Sequence, residues 1–432
     1  MFSKIKRALW GDITGQEFKR FGMLSLTFLF LIGTYWLMRP LKDTLFMHIV
    51  GVKYIPYAKM LSVLILFPLI MLYSKLVDLV EKQKLFYILC TTYAALFIVI
   101  SILLKHPTIG MANAVGSPDR IFGWLIYIGI ESFGSMLPAL FWSFVASNTD
   151  TASAKRGYGL IIFGAQIGSI SGPLLATQAE TIGLPTLIAL VACGVLIVPL
   201  LIKAFITVYP TSAEVSVVNQ KKTGMFEGLR LLVSRPYLMG ILGVATLYEV
   251  VGTVVDYQMK YLAQQSYNTP EQVARFLGIF GASANSLTLV FALLGTAFFI
   301  RRFGLTVCLV LFPICVGLVI ANIMTFKSLP ALFIGMMIIK GLSYALNNPC
   351  KEIMYIPTSK DAKFKAKSWI DSFGGRSSKA VGSGVNTLFA NMADLLVYGS
   401  LISLGIVGIW IVVALYVGKT NKKLVETGTV IS

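Results

Sequence analysis

The sequence predicts an all-α polytopic membrane protein with twelve transmembrane helices in two six-helix halves. Three observations carry that expectation. Hydrophobic residues make up 56% of the 432 and charged residues only 13%, a balance foreign to soluble domains. Mean hydropathy is +0.78, and apolar runs long enough to cross a bilayer recur along the whole length. Loops on the N-terminal side carry 24 of the 37 Lys and Arg, against six on the other side when Lys42 is counted with the first helix. By the positive-inside rule, that asymmetry places both termini in the cytoplasm.

Residues 1–21 are basic and polar, with Phe2, Leu9, Trp10 and Phe18 interspersed, and read as a cytoplasmic interfacial segment. They hold no small-residue cleavage site, so no cleaved signal peptide is expected. Apolar spans at 22–40, 56–74, 86–104, 121–146, 157–178 and 184–207 form the N-terminal half, 22–208. A cytoplasmic linker, 209–236, contains MFEGLRLLVS, whose spacing predicts an amphipathic helix on the membrane surface. Spans at 237–258, 276–299, 304–325, 330–350, 368–394 and 397–418 form the C-terminal half, 237–418. Residues 419–432 read as a cytoplasmic tail.

An internal repeat supports the division. NTDTASAKRGYGLIIFGAQIGSISG, Asn148 to Gly172, runs from an acid through Ala-Lys and an aromatic into a small-residue helix. NNPCKEIMYIPTSKDAKFKAKSWIDSFGGRSSKAVGSG, Asn347 to Gly384, does the same about 210 residues later. Gly164, Gly168 and Gly172 fall four apart, which makes one smooth helix face. Two parallel halves with cytoplasmic termini resemble the major-facilitator architecture. That resemblance implies a central cavity lined by helices one, four, seven and ten.

The second stretch holds five lysines between Lys351 and Lys367, expected as a basic loop at the membrane surface. A helix from Trp369 to about Leu395 then re-enters the bilayer, carrying Arg376 and Lys379. Lys379 lies ten residues past Trp369, roughly 15 Å deep at 1.5 Å per residue. Lysine or arginine at such depth costs about 2.5–3.5 kcal/mol on insertion scales. Two readings follow, an anion-binding cation or a buried salt bridge to Glu131 or Glu249. Gly374, Gly375, Ser377, Ser378, Gly382, Ser383 and Gly384 would let a helix or ligand approach the backbone.

Other spans carry charge too. Helix one ends in YWLMRPLKDTLF, with Arg39, Lys42 and Asp43, and Pro40 is expected to kink it. An ordinary helix end with snorkelling cations is the plainer reading there. Glu131 lies in helix four, Glu249 and Asp256 in helix seven, and Lys340 in helix ten. Arg39, Lys42, Lys340, Arg376 and Lys379 together suit a di- or triphosphate. Glu131 and Glu249 would neutralise them when no anion is bound. Tyr35, Tyr248 and Tyr344 are candidates for stacking a base, although bilayer-interface packing is the commoner role of such rings.

Five cysteines without CxxC or CxxH spacing and two histidines give no disulfide framework and no metal site. No GxxxxGK[ST] occurs, so ATP hydrolysis is not implied, and no Ser/His/Asp set is available. An enzyme is not expected, and neither is a resident cofactor. No compact basic domain exists to bind nucleic acid.

NPCKEIMYIPTSKDAKFKAKSWID followed by GRSSK resembles the signature of the bacterial and plastid nucleotide transporter family, the ATP/ADP translocases of energy-parasitic bacteria. RPLKDTLF resembles that family's first-helix Lys-Asp motif, and ESFGSMLPALFWSFVASNTDTASAKRGYGLIIFGAQIG its block over helices four and five. The resemblance implies exchange of nucleotides, ATP and ADP or relatives of them, across a membrane without hydrolysis. It maps Lys42, Glu131 and Lys379 onto family positions. For the seventh-helix acid both Glu249 and Asp256 stay open, with Glu249 preferred. A monomer in a bacterial inner membrane is the expected setting. A proton-coupled carrier of another nucleotide or anionic solute, or a uniporter, is the alternative on the same fold, because Glu131, Glu249 and Asp256 can titrate.

Overall fold

The computed structural model of the chain describes residues 13–210, 227–294, 300, 302–359, 366–367, 369–389 and 391–431. Its main helices are α1 (Gly15–Ile49), α2 (Ile55–Leu79), α3 (Lys82–Leu103), α4 (Ile121–Ser147), α5 (Thr151–Ala176), α6 (Leu184–Val208), α7 (Pro236–Ser266), α8 (Pro270–Leu294), α9 (Leu305–Phe326), α10 (Leu329–Leu342), α11 (Gly375–Thr387) and α12 (Ser400–Thr427). Among the described residues, eleven helical stretches are long and apolar enough to cross a membrane, α10 counting with the helical residues that follow it to Met354. Gly375–Thr387, with 13 residues, is too short by itself.

Two compact units result. The first comprises Met1–Ala58, Leu64–Val217 and Tyr267–Asn285; the second comprises Lys59–Val63, Val218–Ser266 and Ser286–Ser432. Five residues of α2 therefore belong with α7 and the later helices, and most of α8 belongs with the earlier ones.

In the first unit, α1 and α5 pack through the glycine face. A methyl on Gly164 would meet the Ser25 carbonyl oxygen at 2.4 Å, one on Gly168 that of Leu29 at 2.4 Å, and one on Gly172 that of Gly33 at 2.2 Å. The backbones touch, which small residues four apart permit. Ser25 Oγ donates to the Leu160 carbonyl at 2.7 Å across the same contact. Thr14 and Glu17 form a capping box at the start of α1, so the last residues of the expected interfacial segment, from Gly15 on, are about its first two turns. Residues 1–12 lie outside the described ones. Glu17 also pairs with Arg156 on α5, and Arg20 donates to the Asn148 carbonyl.

The second unit repeats the device. Gly374, Ser378 and Gly382 are four apart and face α7: a methyl on Gly382 would meet the Val250 carbonyl oxygen at 2.6 Å, and one on Gly374 the Thr246 methyl at 3.0 Å. Gly375 and Gly384 face open space instead. Tyr237 on α7 donates its hydroxyl to the Met354 carbonyl at 2.7 Å and accepts from Asn421 on α12 at 2.7 Å.

Several expected boundaries move. Helix α1 continues past Pro40 to Ile49, since one lost donor does not outweigh a face that stays buried at Leu41, Leu45 and Ile49. The span expected at 368–394 is a π-type turn, Ile370–Gly374, followed by α11; the chain breaks after Thr387. The last span starts at Met392, passes a π-type turn at Leu395–Gly399 and stays helical to Thr427, past the expected end at 418. Lys351 lies in a helix, Asn348–Met354, rather than a loop; residues 360–365 of the expected basic loop lie outside the described ones. Within the linker a helix forms at Glu227–Ser234, and residues 211–226 lie outside the described ones.

Candidate functional site

Lys42 reaches its position because α1 continues past Pro40. Its side chain is 6% exposed, so it does not snorkel. Its ammonium donates to Glu131 Oε1 on α4, stands 3.6 Å from Asp43 Oδ1 and lies 4.1 Å from the centre of the Tyr127 ring. Two carboxylates and an aromatic face together satisfy a cation that burial alone would reject. Tyr127 precedes Glu131 by one helical turn, so both face Lys42. Glu131 keeps 32% of its side chain exposed.

Tyr35 lies against the same helix. A methyl on Gly134 would fall 2.1 Å from its ring, so the missing side chain at Gly134 admits it. The Arg39 guanidinium is exposed and sits 4.8 Å from the Trp36 ring centre and 5.9 Å from that of Tyr35. The first unit thus brings Lys42, Glu131 and Tyr35 to the α1–α4 contact, with Arg39 over the Tyr35 and Trp36 rings of its own helix.

In the second unit, Lys379 on α11 stands 3.9 Å from Glu249 Oε2 on α7, with 49% of the lysine side chain exposed. Glu249 accepts a 2.5 Å hydrogen bond from the Tyr248 hydroxyl. The Tyr248 ring packs near Phe312 and Trp410, with centroid distances of 6.0 and 6.5 Å. Arg376 lies one turn before Lys379, half-buried like Lys340 on α10. Tyr344 is 41% exposed on a π-type turn, Ser343–Asn347, a local widening that recurs at functional positions.

The two candidate acids of α7 have different partners. Glu249 faces Lys379, whereas Asp256 Oδ2 accepts from Lys59 at 2.8 Å and from Lys260 at 2.7 Å. Sequence reasoning left Tyr127, Lys59 and Lys260 out of the site. The spacings Tyr127–Glu131 and Asp256–Lys260 were available as one-turn pairs; the contact of Lys59 with α7 has no local signal. Among the described residues, no group of three or more His, Cys, Asp and Glu is arranged to hold a metal ion.

Each unit thus holds one lysine–glutamate pair, Lys42 with Glu131 and Lys379 with Glu249, at positions that the resemblance singles out. The model of the TLC ATP/ADP transporter family matches residues 1–114 and 120–421. The chain belongs to the TLC ATP/ADP transporter family. That family consists of transporters, not enzymes. Its similar members include ADP,ATP carrier protein 1 of Chlamydia muridarum (strain MoPn / Nigg), 25% identical over 88% of this chain and 84% of the relative. ADP,ATP carrier protein 3 of Rickettsia bellii (strain RML369-C) is 23% identical over 98% of both. The chloroplastic ADP,ATP carrier protein 2 of Arabidopsis thaliana is 23% identical over 92% of this chain and 74% of the relative. Among solved structures, a bacterial homologue of the iron transporter ferroportin superposes with a TM-score of 0.69 at 13% identity, covering 94% of this chain and all of that one. The nucleoside transporter NupG superposes with a TM-score of 0.63 at 13% identity, over 95% and 99%. These likenesses show that this TLC-family chain shares the fold of those two structures.

Proposed function

We propose that this chain is a membrane nucleotide transporter that exchanges ATP and ADP by alternating access, with basic residues holding the phosphates. The observation that carries it is the Lys42–Glu131 pair in one unit and the Lys379–Glu249 pair in the other, in a member of a family of ATP/ADP transporters. The relatives named as ADP,ATP carriers support the same substrate. A lysine ammonium suits a phosphate as a point charge, and Arg39 and Arg376 add bidentate forks. Without nucleotide, Glu131 and Glu249 serve as the counter-ions; phosphate oxygens take their place on binding. Tyr35, Tyr248 and Tyr344 are the rings for a base, Tyr344 being the most exposed at 41%, and Tyr248 also donates to Glu249.

Eleven long apolar helices together with α11 and its π-type lead-in make twelve crossings in the proposed topology. An even number returns both termini to one side, the cytoplasm by the charge asymmetry. A monomer in a bacterial inner membrane completes the reading. Uptake of labelled ATP by bacterial cells expressing the chain tests it. Expected is uptake that excess unlabelled ADP competes away and inorganic phosphate does not; expressing cells no better than control cells would sink the proposal.

A further inference from the structure

Apart from the two lysine–glutamate pairs, α2 and α7 bring together a cluster of three charged side chains, Lys59, Asp256 and Lys260. Lys59 of α2 and Lys260 of α7 both donate to a single oxygen, Asp256 Oδ2, at 2.8 and 2.7 Å. The two ammonium nitrogens are therefore within about 5.5 Å of each other, a repulsive arrangement that an oxyanion between them relieves. Neither lysine reaches away to water: their side chains are 16% and 9% exposed. Snorkelling accounts for most lysines near a membrane surface, and it does not account for these.

The cluster also has a defined place in the chain. Lys59 stands one turn into α2, just beyond the end of α1, and Lys260 lies in the last two turns of α7. Both flank loops on the cation-poor side, the face opposite the termini in the proposed topology. Asp256 keeps 21% of its side chain exposed. Lys260 is tied to Asp256 along its own helix, one turn apart, and persists as a local pair. Lys59 arrives from another helix and is the partner that an incoming anion can take over.

We infer that Lys59 and Lys260 form a phosphate-docking station for the nucleotide on the face opposite the termini, with Asp256 as the built-in anion that occupies it between substrates. The assignment rests on the nucleotide-transporter reading and extends it to a site away from Lys42 and Lys379. A carboxylate oxygen and a terminal phosphate oxygen accept from the same ammonium donors with similar geometry. Phosphate brings more charge, so it competes with Asp256 for Lys59, while release lets the carboxylate return. Pyrophosphate, which has the phosphates without base or sugar, satisfies this site chemically.

The test uses the full chain in proteoliposomes of fixed orientation, loaded with ADP and given labelled ATP on one face at a time. Lys59→Gln and Lys260→Gln are expected to raise KM for ATP about tenfold on the face opposite the termini and to leave the other face near wild type. Asp256→Asn removes the competitor and is expected to lower that KM severalfold. A purely structural bridge requires the reverse: Lys59→Gln and Asp256→Asn shift KM in one direction on both faces, and the exchanged pair Lys59→Asp with Asp256→Lys restores wild-type behaviour. That result would overturn the assignment. Should Asp256→Asn fail to accumulate, thermal stability decides: pyrophosphate is expected to stabilise purified wild-type protein and to stabilise Lys59→Gln markedly less. Equal stabilisation contradicts the site. Absence of exchange by wild type would refute the transport reading, whereas exchange with unchanged KM in every variant would refute the station alone.

Discussion

Lys42 and Lys379 have the same kind of partner and opposite surroundings, and their substitutions should differ accordingly. Lys42 is buried between Glu131, Asp43 and the Tyr127 ring. Removing it strands carboxylates in a poorly solvated place, which costs about 3–5 kcal/mol. Lys42→Ala is therefore expected to cut the amount of folded protein in the membrane, and adding Glu131→Gln should recover part of it; size-exclusion profiles of the detergent-extracted protein read this out. Lys379 is half exposed and stands 3.9 Å from Glu249, a contact loose enough to give up. Lys379→Ala should fold normally and bind nucleotide about 10- to 150-fold more weakly, the range of about 1.5–3 kcal/mol for charge-assisted hydrogen bonds. ATP and ADP should lose more than AMP in a binding titration. Lys379→Arg should rescue only in part, because a planar fork does not replace a compact ammonium. Wild-type affinity in well-folded Lys379→Ala would remove this lysine from the phosphate site.

At the scale of helices, the glycine faces make a sharp distinction between positions that look alike in sequence. Gly168 sits against the Leu29 carbonyl and has no room for a methyl, while Gly384 faces open space. Gly168→Leu should abolish the α1–α5 contact and the folded protein with it; Gly384→Ala should be neutral or stabilising by up to about 1 kcal/mol. Yields of monodisperse protein from equal membrane preparations compare the two. The four-residue spacing at Gly164, Gly168 and Gly172 was legible because it is a property of one helix. Lys42, Glu131 and Lys379 were legible for a similar reason: charge in an apolar run is conspicuous wherever the helix packs. The π-type turns at Ser343–Asn347, Ile370–Gly374 and Leu395–Gly399 had no such mark, since an i→i+5 widening depends on what packs beside it. The end expected for the first span at residue 40 was misplaced, because the buried face of α1 carries the helix on through Pro40 to Ile49.

For the molecule as a whole, the exchange of short segments between units is the feature least visible in sequence. Lys59–Val63 belongs with the later helices and Tyr267–Asn285 with the earlier ones. In the first unit, Arg275 pairs with Glu180 at 3.1 Å, and Asn285 donates to the Ser169 carbonyl at 2.6 Å. Hydropathy finds α2 and α8 and says nothing about their neighbours. The proposed twelve crossings have a simple check. Small tags fused at Met1 and Ser432 should both be inaccessible to an impermeant reagent outside intact cells; labelling of the C-terminal tag alone would mean an odd number of crossings.

The central claim is exchange, and the measurement that tests it most directly is counter-transport by the purified chain in proteoliposomes. Without nucleotide the lysines stay paired with Glu131 and Glu249, and parting those pairs to reorient empty would bury unpaired charge, whereas bound phosphate supplies the replacement. Vesicles loaded with ADP should therefore take up labelled ATP severalfold faster than empty vesicles, and external ATP should drive out labelled internal ADP in return. Equal uptake into empty and ADP-loaded vesicles would contradict the account.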